Sequence, residues 1–278
     1  MEYSNIIGNL SAVFEKIFGS VEKDVFSALD EIFVIDASLL NKEPLNKIIM
    51  IDGINYMNII AHTLILLYAI YYIFTTFISM YNGAKRGSTY KFIVKVVVIA
   101  IIASFSTYLC EVILEINSGF TYAIDSFGKK AISSELDFTA LKDKIISIED
   151  YLKEDTLSLN GIIKGMVSFG SISLLLTFAI RYVTIILLVF VSPIAIICLA
   201  SDLTSGLFFT YVKALVINIF VQNIAKIVIL IPLACGETSE VVYKIIMAGS
   251  IYIIYKINNY SKQLFSRITS GNIGRGDS

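Results

Sequence analysis

Asn218, Gln222 and Lys226 recur every four residues inside an apolar run, with Asn223 beside them. On a helix that spacing puts three polar groups on one face. In lipid such a stripe must meet other helices, another subunit or water, so it serves either interhelical hydrogen bonding or a polar lumen. Arg181 raises the same question. A guanidinium deep in an apolar segment faces a bundle interior, a wet cavity or a headgroup, and it supports an ion pair, an aqueous path or snorkelling at the membrane edge. Glu111 and Glu115 lie one helical turn apart and could form a carboxylate pair; a solvated helix end is the plainer reading. His62, the single histidine, reads more simply as an interfacial or packed side chain than as a proton carrier. One histidine excludes a His-based metal cluster, and the chain carries no Gly-rich phosphate loop. Cys110, Cys198 and Cys235 have no CxxC spacing and read as small buried apolar groups. These residues carry no enzyme signature, so neither catalysis nor a cofactor or metal is expected.

The elements that hold these groups are legible in the hydropathy. The chain has 278 residues, 56% of them hydrophobic and 16% charged, with a mean hydropathy of +0.77. A soluble domain carries roughly a quarter charged residues. The apolar excess is concentrated in runs after residue 58, long enough for transmembrane helices, which need about 20 apolar residues. Backbone groups in lipid must be satisfied internally, and the runs do not alternate as barrel strands do. The expected fold class is therefore all-α, a polytopic helical membrane protein with about five transmembrane helices and an N-terminal amphipathic helix.

That N-terminal helix is read from Ile6, Leu10, Val13, Phe14, Ile17, Val21, Val25, Leu29 and Ile32 at helical spacing. Its polar face is acidic, which favours packing on protein over binding to anionic lipid. The chain divides into 1–58, an external helix and connector; 59–116, two spans with a basic link; 117–160, an acidic outer loop; 161–258, a membrane bundle; and 259–278, a basic tail. Within the loop, 138–153 could form a short amphipathic helix. Gly161 and Gly165 match GxxxG, but at a span end. No cleavable leader is expected at the N-terminus, which lacks a basic region before a short apolar core.

Charge bias selects the count. Residues 81–91 carry three bases and no acid, placing that link in the cytoplasm. Residues 1–58 hold nine acids against four bases, and 117–161 eight against five, so both fall outside. The tail, with Lys256, Lys262, Arg267 and Arg275 against Asp277, falls inside. An outer N-terminus and an inner C-terminus require an odd number of spans: about 59–80, 92–116, one long element within 162–200, 207–233 and 241–257. The long element exceeds the hydrocarbon thickness, and Ser192-Pro193 is expected to break it near residue 190.

The run RYVTIILLVFVSPIAIICLASDLTSGLFFTYVKALVINIFVQNIAKIVIL resembles the polytopic TrbL-like inner-membrane subunits of type IV secretion and conjugation systems, the family of the sixth VirB component. Arg181, Ser192, Pro193, Ala195, Lys213 and Gln222 are the matching positions. The run KFIVKVVVIAIIASFSTYLCEVILEINSGFTYAI is similar to that family's second span and the start of its outer loop. The tryptophan usual near the start of the fourth span is absent, with Phe209 or Tyr211 in its place. The resemblance implies a channel or scaffold subunit of a DNA or protein transfer apparatus in the cytoplasmic membrane, and related archaeal DNA-transfer subunits would look alike. Its implied partners are membrane lipids, further copies of itself, other secretion subunits including ATPases, and a transient single-stranded DNA or protein cargo. The rival reading is the membrane subunit of a small-molecule permease.

Overall fold

The computed structural model describes residues 25–41, 55–83, 89–133, 136–141, 159–235, 242–243 and 245–257, with residues 47 and 263. Among the described residues there are helices and turns and no strand. In chain order they are α1 (25–33), a 3-10 turn at Ala37–Asn41, α2 (Tyr56–Tyr81), α3 (Thr89–Ser104), α4 (Ser106–Ile132), α5 (Leu159–Ile197), α6 (Ser205–Ala234) and α7 (Ile245–Ile257).

Local chemistry marks several of the ends. Asn55 caps α2, its side-chain oxygen accepting from the backbone N–H of Met57 (3.0 Å) and Asn58 (3.3 Å). At the other end Gly83 takes a positive φ of 69° and its N–H donates to Met80 O, a left-handed stop that costs glycine nothing. α4 places Lys129 and Lys130 in its last turn, where cations complement exposed carbonyls.

Three described helices are long and apolar enough to cross a membrane: Tyr56–Tyr81, Phe169–Ala200 and Ser205–Ala234. α3 and α4 qualify together as a fourth, bent by 59° around Phe105. α7 is apolar but only about 20 Å long at 1.5 Å per residue, short of a hydrocarbon core of about 30 Å. Three or four membrane-length elements are thus present where five were expected, consistent with a multi-pass membrane protein.

Two further expectations meet a different outcome. α4 does not end near residue 116; it continues to Ile132, so the first part of the expected outer loop is helix. Asn117 and Thr121 on that extension are buried against polar groups of α6, and this pairing sustains the helix beyond the apolar run. Nor is the chain broken at Ser192-Pro193. α5 is one helix of 39 residues that passes through Pro193 and gives way to a 3-10 turn at Cys198–Ala200. Proline withdraws one backbone donor, and Ser192, Pro193, Ala195, Ile196 and Ile197 are all buried, so packing holds the turn that propensity would release. The region is a single element rather than a hairpin. Of the expected helix at 138–153, residues 138–141 are helical and the rest lies outside the described residues.

The chain forms two compact units by internal packing, each built from separated segments. One contains the described residues up to Ile35, Asn117–Val183 and those from Ile217 onward. Its apolar core joins Phe26, Leu29 and Phe33 of α1 to Phe138, Leu174, Phe178, Val221, Ile229 and Ile251. Phe33 meets Phe138 and Phe178 edge to face, each at 5.1 Å between ring centroids. The described part of the N-terminal helix therefore packs on its own chain. The other unit is Asp36–Ile116 with Thr184–Val216. There Ala61, Ala103 and Ala200 let helices approach closely around Ile65, Ile99 and Ile196, and Tyr68 Oη donates to Ala200 O at 3.1 Å.

Candidate functional site: a buried polar seam

The α6 stripe points into the first unit, where it meets a stripe of the same period. Asn117, Thr121 and Asp125 of α4 repeat every four residues, as do Asn218, Gln222 and Lys226 of α6. Of these, all but Asp125, which is half-buried, are buried.

The network fixes its own orientation. Ile35 N–H can only donate, so the Gln222 atom 2.9 Å from it is Oε1. Gln222 Nε2 then donates to Ile35 O (3.3 Å) and to Thr121 Oγ1 (3.0 Å). Asn117 Nδ2 also reaches Ile35 O, at 3.5 Å, which turns Asn117 Oδ1 toward Asn223 Nδ2 at 2.8 Å. Asn223 Oδ1 is left facing the Thr121 hydroxyl, which donates to it at 2.8 Å. Each amide is thereby used on both ends, the condition under which a buried polar network stabilises a fold.

Gln222 treats Ile35 as a neighbouring strand would, taking its N–H and giving to its C=O. Arg181 completes the seat. Its Nε donates to Asn218 O (2.6 Å), Nη1 to Phe33 O (3.2 Å) and Nη2 to Gln222 Oε1 (3.0 Å) and Ile219 O (3.4 Å). The guanidinium also lies 5.6 Å from the Phe178 ring centroid. Only 1% exposed, Arg181 meets neutral oxygens and no carboxylate among the described residues. Backbone carbonyls are an accepted partner for such a charge in a membrane helix. Phe33 is the last residue of α1, so the cation also faces the negative end of that helix.

At the other end of the seam Lys226 Nζ bonds both oxygens of Asp125, at 2.6 Å and 2.5 Å. This pair borders a recess of about 280 Å³ lined by Asp30, Phe33, Val34, Asp125, Lys129, Leu136, Asp137 and Lys226. Across the recess Asp30 ties α1 to residues 138–139. Its carboxylate accepts from Phe138 N–H (2.7 Å), Thr139 N–H (3.0 Å) and the Thr139 hydroxyl. Burial raises the Asp30 carboxyl pKa above its ordinary 3.8, and the facing Asp137 pushes the same way, outweighing the hydrogen bonds.

Arg181, Asn218, Gln222 and Lys226 are thus brought together, with their described bonds made to protein. Asn117, Thr121 and Asp125 and the main chain of Phe33 and Ile35 join them without having stood out in the sequence. The four-residue period of the first three was a visible signal; the backbone groups leave none.

Most of the other candidates belong to the second unit. Ser192 and Pro193 are buried in the second unit. His62, also there, faces Asn58 O through Nδ1 and Ser104 Oγ through Nε2 (3.2 Å) beside the α3–α4 bend. Glu111 is half-buried and Glu115 exposed. The side chains near Gly161 and Gly165 lie outside the described residues. No group of three or more His, Cys, Asp or Glu is placed to hold a metal ion among the described residues. No protein-family profile, curated protein or solved structure matches the chain, so the resemblance to TrbL-like subunits rests on the residues quoted for it.

Proposed function

We propose that the protein is a membrane-embedded scaffold and channel subunit of a type IV secretion-like apparatus that transfers DNA or protein across the cytoplasmic membrane. The observation that carries this reading is the seam: polar groups within apolar helices are bonded to one another and clamp an N-terminal segment into the helical unit. That is the work of an architectural subunit, and it agrees with the resemblance of residues 181–230. On this reading the protein performs no catalysis, and partner ATPases supply the energy. It assembles with further copies of itself, with other secretion subunits and with lipid, and a single-stranded DNA or protein cargo passes transiently. The proposed topology has five spans, the fifth needing all of 241–257 rather than α7 alone to reach the lower limit of about 17 residues, with the acidic N-terminal region outside and the basic tail in the cytoplasm.

The test is deletion of the gene followed by measurement of DNA transfer, with the wild-type copy restored in parallel. Transfer should fall and return with the restored copy. Unchanged transfer in the deletion strain sinks the proposal. The alternative, a permease subunit, draws on the recess beside Asp30 and Asp125. Neighbouring genes separate the two: secretion ATPases and a relaxase for one, a nucleotide-binding transport subunit for the other.

A further inference from the structure

α1 and the two residues after it are held in an unusual way for a core element. Its apolar side chains, Phe26, Leu29, Phe33 and Ile35, are buried. At the outer membrane surface, however, an apolar helix face can also be buried in the lipid interface, so burial of this kind distinguishes little between a docked segment and one resting on lipid. What remains specific is polar. Arg181 holds Phe33 O, Gln222 holds both Ile35 N–H and Ile35 O, and Asp30 holds residues 138–139.

The bonds from Arg181 and Gln222 go to main-chain atoms, which any extended peptide or water can replace. Beneath them, the contacts of Thr121 with Asn223 and of Asp125 with Lys226 join α4 to α6 without the segment. Lifting it would uncover the apolar walls of its socket, Phe138 and Phe178 among them, together with a line of amides and charges on which water can settle. With the segment in place, the same groups are sealed: Gln222 and Arg181 are each 1% exposed.

We propose that residues 25–35 are a releasable strap seated in a main-chain-binding groove, and that its release converts the α4–α6 seam into a water-filled path. The strap is an intramolecular ligand, and the groove takes the C-terminal end of an apolar helix together with the main chain just after it. This inference rests on the membrane reading and not on DNA transfer, so its test uses no transfer assay.

The test is thiol accessibility in the full-length protein, purified into nanodiscs, with Cys110, Cys198 and Cys235 replaced by alanine. A single cysteine is introduced as Thr121→Cys beneath the strap, or as Val189→Cys on the buried face of α5 in the second unit as control. A water-soluble maleimide reaches both faces of the disc. Thr121→Cys should react faster than Val189→Cys. Adding Asp30→Ala, which removes the strap's bonds to 138–139 without touching the seam, should speed labelling at 121 by about threefold or more and leave 189 unchanged. Helical circular dichroism of each variant reports whether it is folded. Equal, slow labelling at both positions with and without Asp30→Ala overturns the proposal. Parallel acceleration at both positions also overturns it, because that is general loosening and not release of a strap.

Discussion

The Lys226–Asp125 pair makes an asymmetric prediction. The Lys226 side chain is 6% exposed and that of Asp125 is 31% exposed, so the two ends are not equivalent when one is removed. Asp125→Asn strands an ammonium in a buried setting, where an uncompensated charge costs about 3–5 kcal/mol. Lys226→Met strands a carboxylate that opens onto the recess and can recruit water, so its cost should be lower, about 1.5–3 kcal/mol, the range of a lost charge-assisted hydrogen bond. The double variant Asp125→Leu with Lys226→Met leaves no stranded charge. It should be more stable than Asp125→Asn alone, with a coupling of about 2 kcal/mol. The assay is equilibrium unfolding in mixed micelles with rising SDS, followed by helical circular dichroism. Equal costs for the two single changes, or strict additivity in the double, would refute the assignment of the buried partner.

Gln222→Leu should destabilise the first unit by about 1–2 kcal/mol in the same titration, because it unpairs Ile35 N–H and leaves Ile35 O with Asn117 Nδ2 and Arg181 Nη2 with Ile219 O, while filling similar volume. Gln222→Leu combined with Lys226→Leu should impair DNA transfer in cells while the protein still inserts; unaltered transfer would remove the seam from the proposed function. Asp30 gives a pH signature. Its folded carboxyl binds a proton more tightly than the unfolded one, so its contribution to stability falls as pH rises from about 3.8 through the raised folded value and is level above it. Subtracting the pH–stability curve of Asp30→Asn from that of the native protein should reveal this falling limb, and a rising one would mean that the hydrogen bonds outweigh burial.

Much of the architecture follows from patterns that need no partner to be read. An apolar run of membrane length must satisfy its backbone internally, so α2, α5 and α6 are legible as helices. The absence of a turn residue around Arg181 marks residues 162–200 as one element. The four-residue period of Asn218, Gln222 and Lys226 identifies a shared face because helical geometry is local. Their bonding partners are not local. Ile35 and Gln222 are 187 residues apart, and no spacing rule connects an amide to a distant main chain.

Tertiary packing decided four things in particular. Helix α4 persists past the end of its apolar run because Asn117 and Thr121 find partners on α6. Helix α5 runs through Pro193 because buried neighbours on both sides hold the turn. The described N-terminal segment lies on its own chain, where its acidic Asp30 bonds the backbone at 138–139 and its Phe33 fills a socket between Phe138 and Phe178. The polar stripe, for which the sequence favours interhelical hydrogen bonding and leaves a lumen open, is sealed by that segment. Helical period says which groups share a face; only the facing element says whether that face meets protein or water.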